Sequence, residues 1–553
     1  MKRLLTLTAF GLFALTGLQA QTGQQGQQGQ QQIEEAEIVI RKDRKIVLPP
    51  ATRNFEKIPQ LPKSTGESSQ RFEFKRYNFE LDPFMPTFQA VQYAGETGFK
   101  ELKSNYIKAG FGNYVTPYVE AYIGSKRRRN YLYNFYVRHY SSQKGPVADE
   151  NSGNGSTEAA VSAKFYDGTN TISGSLLYQR RNVHFYGYNP VLDYNPEDIE
   201  QIFNKFSAIL DVRRTVSHNK YDYHFKTDWG FMKDLFESRE SKFFFDTGFE
   251  YNFTEEFKFD VDLLGTLSKR KQVDETDFSR NYVNIMPRLV YTTDAIGLEA
   301  GFNIAGDNDD TGEGVKLYPA VKASYKVNSG LLAYVGYEGS VEMNTMESIL
   351  KENPFMMSDF ELRNTEKKSD IFGGIEMDLT DRLQLKSGFS IAALNNMPFL
   401  TNAQTDSTKF ETLFDGGTTD RLNVFGAINF ENPGMVRSSL RFDFFNYSLA
   451  TLAEAWHKPD YKVAFNNSFF PVEKLVVTAD LYYLGGLNAL NGETDEAYNL
   501  DDIFDLNLGA RYDISQRFGV FLQFNNLFGK EYQRYLNYPT RGIQVLGGLS
   551  VSF

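Results

Sequence analysis

Five histidines, two acidic stretches and a run of four cations are the residues of this 553-residue chain whose types could do chemistry. His139, His184, His218, His224 and His457 are scattered. None has the H-E-x-x-H spacing that puts two imidazoles on one helix face around zinc. No G-x-S-x-G nucleophile elbow and no phosphate loop occurs. With no cysteine in the chain, thiol nucleophiles, thiolate metal sites and disulfides are excluded together. Residues 306–314 (GDNDDTGEG) match the start of a calcium loop at Asp307, Asp309, Thr311 and Gly312, but Tyr318 stands where the distal glutamate belongs. They read as a solvated loop. Residues 488–502, with Glu493, Asp495, Glu496, Asp501 and Asp502, form a second acidic loop that could meet divalent cations or lipid headgroups, and solvation again suffices to explain it. Lys126–Arg129 reads as a charged turn. These residues define no catalytic, cofactor or metal site, so the chain is read as a non-enzyme whose function must come from its architecture.

The formal charge of −11 removes nucleic acid as a partner, because phosphate binding needs a basic footprint. Aromatic residues make up 15% of the chain, 33 of them Tyr and 48 Phe, yet the mean hydropathy is −0.44. Beyond the N-terminus no run approaches the roughly 18 apolar residues of a membrane-spanning helix. Spanning β-strands escape that requirement, since only alternate side chains meet lipid. The start itself, a basic Met1–Arg3 followed by the apolar run of residues 4–18 and by Ala20, reads as a cleavable secretory signal over residues 1–20. Residues 21–32 are a Gln-rich low-complexity tether. Residues 33–63 combine one short apolar run with Pro49, Pro50, Pro59 and Pro62. The N-terminal arm, residues 21–103, is thus expected in the periplasm.

From residue 104 to the end the texture is period two. Phe257, Phe259, Val261 and Leu263 alternate with Glu256, Lys258, Asp260 and Asp262. Leu422, Val424 and Ile428 alternate with Arg421, Asn423 and Asn429, and Phe504, Leu506, Leu508 and Tyr512 with Asp505, Asn507, Gly509 and Asp513. Each segment therefore has one apolar and one polar wall. The pattern persists for about 450 residues, in spans near the roughly 9–11 residues of a tilted membrane strand. Connections alternate short and long: 167–170, 328–330 and 515–516 against 142–156, 306–314, 344–368, 395–420 and 485–502. Phe360 falls within one of the long ones. The expected fold is all-β, a transmembrane antiparallel barrel of about 22 strands (18–20 as the alternative), with short periplasmic turns and long outer loops. An even count leaves both termini in the periplasm of a Gram-negative outer membrane. Inward charges of both signs, Asp260, Asp262 and Glu376 beside Lys322, Lys386 and Arg441, predict cross-strand pairs in a wet lumen.

The stretch Val520–Tyr532, followed by Tyr538-Pro539-Thr540-Arg541-Gly542 and a last strand ending in Phe553, resembles the C-terminus of TonB-dependent outer-membrane receptors of the Bacteroidota type. Asn526, Leu527, Phe528, Lys530, Tyr532, Pro539 and Arg541 fall on that family's pattern, over only about 35 residues of the chain. The resemblance implies a 22-stranded barrel and makes Phe553 the signal read by the barrel-assembly machinery. Glu37, Ile38, Val39 and Ile40 are similar to the family's TonB box, which docks by adding a strand to the partner's sheet edge; an ordinary strand packed on the barrel is the competing reading. Family members carry a plug of well over a hundred residues, and residues 21–103 show no plug motif.

Two functions follow. The first is solute transport or receptor activity across the outer membrane, with TonB as a candidate partner. The second is a non-transporting structural subunit of an outer-membrane assembly, recruited through the arm. A wide barrel without a plug would leak, so inward-folded loops, residues 72–103 or a partner must block it.

Overall fold

The computed structural model describes residues 105–553, except 126–129, 190, 216–219, 275 and 310–311. The signal segment, the arm with Glu37, Ile38, Val39 and Ile40, the Lys126–Arg129 run, His218 and Thr311 therefore lie outside the described residues. What is described is a single closed barrel of 22 antiparallel strands. Each strand pairs with the next in sequence, and the first, Asn105–Gly112, pairs with the last, Gln544–Ser552, from Tyr106↔Ser552 to Gly112↔Leu546. Among the described residues no helix is long and apolar enough to cross a membrane.

The period-two reading sets the faces. Phe243 and Phe249 are exposed on one side of Arg239–Asn252, while Glu240, on the other, is buried. Leu289 and Tyr291 face out from Asp277–Thr292, and Arg280 faces in. The apolar belt thus points to lipid and the polar wall to the lumen, as spanning strands require. The charged lumen pairs across strands: Lys386 Nζ lies 2.9 Å from Glu376, Lys258 Nζ 3.0 Å from Glu250, and Lys322 Nζ 3.5 Å from Glu299.

One end of the barrel carries every long connection: 143–153, 185–199, 343–364, 396–417, 449–460, 486–502 and 526–543. The other end has connections of at most six residues. The expected alternation of short and long is not strict, because 113–115, 234–238 and 272–276 at the long-loop end are also brief. Residues 306–309 and 312–314 are strand rather than loop. The strands Ile296–Asp309 and Gly312–Asn328 stay paired through Asp307↔Gly314 and Asp309↔Gly312, so the described part of the acidic stretch is strand where a loop is expected. Backbone pairing alone carries the ladder outward there, whatever the side chains.

The closing seam is tight. Gly110 and Gly548 face each other across it, and Gly548 also opposes Phe521. A Cβ at Gly548 would come within 2.2 Å of the Ala109 carbonyl oxygen and 2.6 Å of Phe521 Cζ. Gly426, by contrast, has nothing within 4 Å of such an atom. Gly548→Val is therefore expected to abolish most of the heat-modifiable folded barrel on electrophoresis, whereas Gly426→Val leaves it near wild type. Equal yields would show that the seam does not depend on this close approach.

Candidate functional site

The long-loop end is covered by its own loops. In the 343–364 connection Thr345 caps a helix, α1 (Met346–Glu352): its Oγ1 accepts from the Ser348 N–H at 3.2 Å while its own N–H donates to Ser348 Oγ at 2.8 Å. Met346, Ile349 and Leu350, at helical spacing, are buried. Around them gather Phe185, Tyr186 and Tyr188 of 185–199, Met356 and Phe360 of the same connection as α1, Leu400 and Phe410 of 396–417, and Tyr535 and Tyr538 of 526–543. Four connections thus share one apolar core.

Polar contacts fix this core to the lumen wall. Glu347 pairs with Lys242 at 2.5 Å and with Lys205. Both lysines are on inward faces of strands seven and five places from α1's own root. The Met346 N–H donates to Glu240 Oε2 at 2.9 Å, and Ser268 Oγ holds the other oxygen at 2.8 Å. Arg270 donates to the carbonyls of Phe360 at 2.7 Å and Ser358 at 2.8 Å and sits over the Phe360 ring. Phe360 is therefore a buried anchor. Toward the opposite wall Lys458 pairs with Glu352 at 2.6 Å, and the Tyr535 hydroxyl donates to the Glu352 carbonyl. Burial pushes the Glu352 carboxyl up, but the cation of Lys458 holds it below the usual range. The same competition, with Lys242 and Lys205 prevailing, lowers Glu347.

His457 joins three connections. Its Nδ1 donates to the Leu400 carbonyl at 2.6 Å, its Nε2 accepts from the Leu536 N–H at 3.3 Å, and Arg534 donates to its carbonyl at 3.0 Å. Asp415 ties 396–417 to 449–460 by accepting from the Ala450 N–H at 2.7 Å and the Thr451 N–H and hydroxyl at 2.8 Å. Against the upward push of desolvation, these donors draw its carboxyl down to about 2.

The residues singled out from sequence are spread around this cover. Phe553 follows the closing strand, its N–H bonded to the Asn105 carbonyl at 3.0 Å. Asn526 Nδ2 bridges the Lys530 and Arg541 carbonyls at 2.7 Å each, and Tyr532 donates to Asp505 at 2.6 Å, so the C-terminal motif builds the root of the 526–543 connection. Arg541 reaches the carbonyls of Lys144 and Ser152 at 2.8 Å. The other described histidines are local: His139 with Thr157 and Ser141, His184 with the Gly153 carbonyl, His224 with Asp246. The acidic stretch 488–502 contains a hairpin, Asn488–Asn491 with Glu496–Asn499, whose base buries Leu487, Ala489 and Leu500 while Glu493 and Asp495 are exposed. No group of three potential metal ligands occurs among the described residues. Sequence reasoning missed α1, Glu347 and His457; the capping pair Thr345/Ser348 before Met346, Ile349 and Leu350 was the one local signal available.

A closed antiparallel barrel of this size, apolar outside and covered at one end by long loops, is of the transmembrane β-barrel type. No family model matches the chain, and no curated protein matches it in sequence. Solved structures do. The ferric-catecholate import receptor Fiu of E. coli K12 aligns with a TM-score of 0.61 at 10% identity, over 81% of this chain and 82% of its own. The siderophore receptor PirA of Acinetobacter baumannii aligns with a TM-score of 0.62 at 11% identity, over 81% and 80%. The FrpB iron transporter of Neisseria meningitidis gives 0.62 at 9%, over 82% and 83%. The barrel therefore has the fold of the TonB-dependent receptors, as its C-terminal motif suggested, and among the described residues there is no plug domain. These neighbours are receptors and transporters rather than enzymes.

Desolvation lowers the His457 pKa from 6.5 to about 3, because its buried ring must stay neutral to accept from Leu536. The unfolded cover binds that proton from about pH 6.5 downward and the folded one does not, so stability falls as pH drops from 6.5 toward 3. Buried Trp456 reports the change once exposed Trp229 is replaced by phenylalanine. Its emission is expected to shift red between pH 6.5 and 5, above the range of the depressed carboxylates, and His457→Gln should flatten that limb. Emission that stays constant in wild type down to pH 3 would contradict the role given to His457.

Proposed function

We propose that this protein is an outer-membrane receptor or transport barrel that takes up a solute through its long-loop mouth, which faces outward while both termini lie in the periplasm. The observation that carries this reading is the cover itself. A pore for free diffusion has no use for four loops packed into one core, whereas a receptor presents such a surface and opens it on demand. Opening must break Glu347 from two lysines and His457 from Leu400 and Leu536, which calls for ligand or for work supplied from the periplasmic side. A TonB-type partner docking on Glu37, Ile38, Val39 and Ile40 by strand addition would deliver that work. Phe553, ending the strand that must close the ring, is proposed as the residue read by the barrel-assembly machinery, and the apolar belt meets outer-membrane lipid.

A second reading has its own support. The cover is packed and stapled like a domain core, and no plug stands among the described residues, so a permanently closed barrel serving as a structural subunit also fits. In it residues 21–103 recruit the chain into a larger assembly after a signal over residues 1–20 is removed.

A photo-crosslinking residue at Ile38 decides between them. The receptor reading predicts a crosslink to a TonB-type energising protein, and Val39→Pro, which removes one backbone donor, should abolish it while leaving the folded barrel intact. A crosslink to another outer-membrane protein would favour the structural subunit. Loss of barrel stability in Val39→Pro would instead place the segment within the barrel.

A further inference from the structure

Across five strands, from Asn170–His184 to Phe257–Lys271, the ladder sets outward side chains in rows that can be followed from partner to partner. Near the long-loop end one such row runs Arg180, Asn204, Lys233, Arg239, Lys271, each the register partner of the next. Arg180 has the parity of Leu176, Lys233 that of Trp229, Arg239 that of Phe243 and Lys271 that of Leu267, and those four apolar side chains are exposed on the outer surface. The row therefore points away from the lumen. One step toward the short-turn end the same face reads Tyr178, Phe206 and Phe231, again in register and exposed. One step further it reads Leu176, Ala208, Trp229, Phe243 and Leu267. Along each strand the surface thus grades from polar or cationic toward apolar, with aromatic rings between on three of them.

Aromatic girdles mark where hydrocarbon gives way to headgroups, so the cations above this one stand at headgroup level. Lys233 and Lys271 both face Arg239 directly, an arrangement of like charges that disfavours the bare sheet. Glu237 pairs with Lys233 at 2.6 Å and Asp277 with Lys269 at 2.9 Å, and the exposed Arg180 and Arg239 extend the positive row beyond these pairs. The concentration of cations runs against the chain's formal charge of −11. Guanidinium groups bind phosphate oxygens through charge-assisted hydrogen bonds. We propose that this row docks the phosphates of an outer-leaflet lipid of the lipid A type, whose acyl chains lie along Trp229, Phe243 and Leu267. The assignment rests on the outward orientation of the long-loop mouth. A soluble anion would have no use for the apolar step beneath the cations, and a zwitterionic headgroup would set its own cation against them. Lys205, Glu240, Lys242 and Arg270, which hold the cover, are on the inner face of the same strands, next in sequence to Asn204, Arg239, Ser241 and Lys271. A docked lipid therefore braces the stretch of wall to which the cover is tied.

Native mass spectrometry of the purified full chain in mild detergent tests this, with diphosphoryl lipid A as the probe and phosphatidylethanolamine as the zwitterionic comparison. Wild type is expected to hold diphosphoryl lipid A one-to-one and about tenfold or more tighter than phosphatidylethanolamine, and Arg180→Gln combined with Arg239→Gln to erase most of that preference. Absence of the preference in wild type overturns the proposal, whether or not the variant folds. So does a preference that the double variant leaves unchanged. Equal loss from Arg382→Gln combined with Arg517→Gln, exposed cations at the short-turn end, also overturns it, because overall charge alone would then account for binding. Orientation is checked separately with a membrane-impermeant maleimide on intact cells carrying Leu235→Cys, an exposed position in a chain without cysteine. Labelling with no lipid preference removes the docking row and leaves the receptor reading standing. Lipid preference with labelling only of broken cells puts the long-loop mouth in the periplasm, which overturns both the outer-leaflet source and that reading.

Discussion

In hydrocarbon an unpaired amide or carbonyl has no water to turn to, and each such group costs several kcal/mol. Everything else in this molecule follows from meeting that demand with strands. Each of the 22 strands pairs with both neighbours, and the pairing of Asn105–Gly112 with Gln544–Ser552 leaves no edge. The glycine pair Gly110 and Gly548 lets the last two backbones approach, with Phe521 lying against both. Period-two alternation is then imposed on every strand, because one face must meet lipid and the other a wet interior.

Closure at this size creates a second problem. Side chains fill the interior of an eight-stranded barrel, but a ring of 22 strands leaves a wide lumen. The long-loop end answers by folding inward. The apolar core around Met346, Phe360, Phe410 and Tyr538 excludes water, but apolar contact is non-directional and does not choose a position. Position comes from charge. Glu347 held by Lys205 and Lys242, the Met346 N–H on Glu240, and Arg270 on two carbonyls each tie the cover to a particular place on the wall. Buried ion pairs add little net stability, yet removing one partner leaves a stranded charge, which is how they enforce a single arrangement.

The barrel was legible in the sequence because its signal is local and repeated. Alternation such as Phe257, Phe259, Val261 and Leu263 recurs strand after strand, and the count near 22 and the parity of lumen charges followed from it. The cover was not legible. Glu347 meets Lys205 across 142 positions, Tyr535 meets Glu352 across 183, and Arg541 meets Lys144 across 397, and no local pattern encodes such contacts. Helix α1 spans seven residues, too few for a periodicity to stand out. Phe360 was read as an ordinary loop residue for the same reason. Composition misled at 306–314, where Asp and Gly suggest a loop although backbone pairing reaches Asp309 and resumes at Gly312. His457 looked isolated because its three partners, Leu400, Leu536 and Arg534, lie on two other connections far away in sequence.

The central claim is that the barrel's own loops seal its mouth. Planar-bilayer conductance tests it most directly, comparing the full chain with a version in which residues 345–362 are replaced by a short Gly-Ser turn that removes α1, Met356 and Phe360. Wild type should give no unitary steps, and the loop-replaced barrel should give large ones while keeping its heat-modifiable fold. Open steps in wild type, or silence in both, would mean that the cover does not form the seal and would contradict the account.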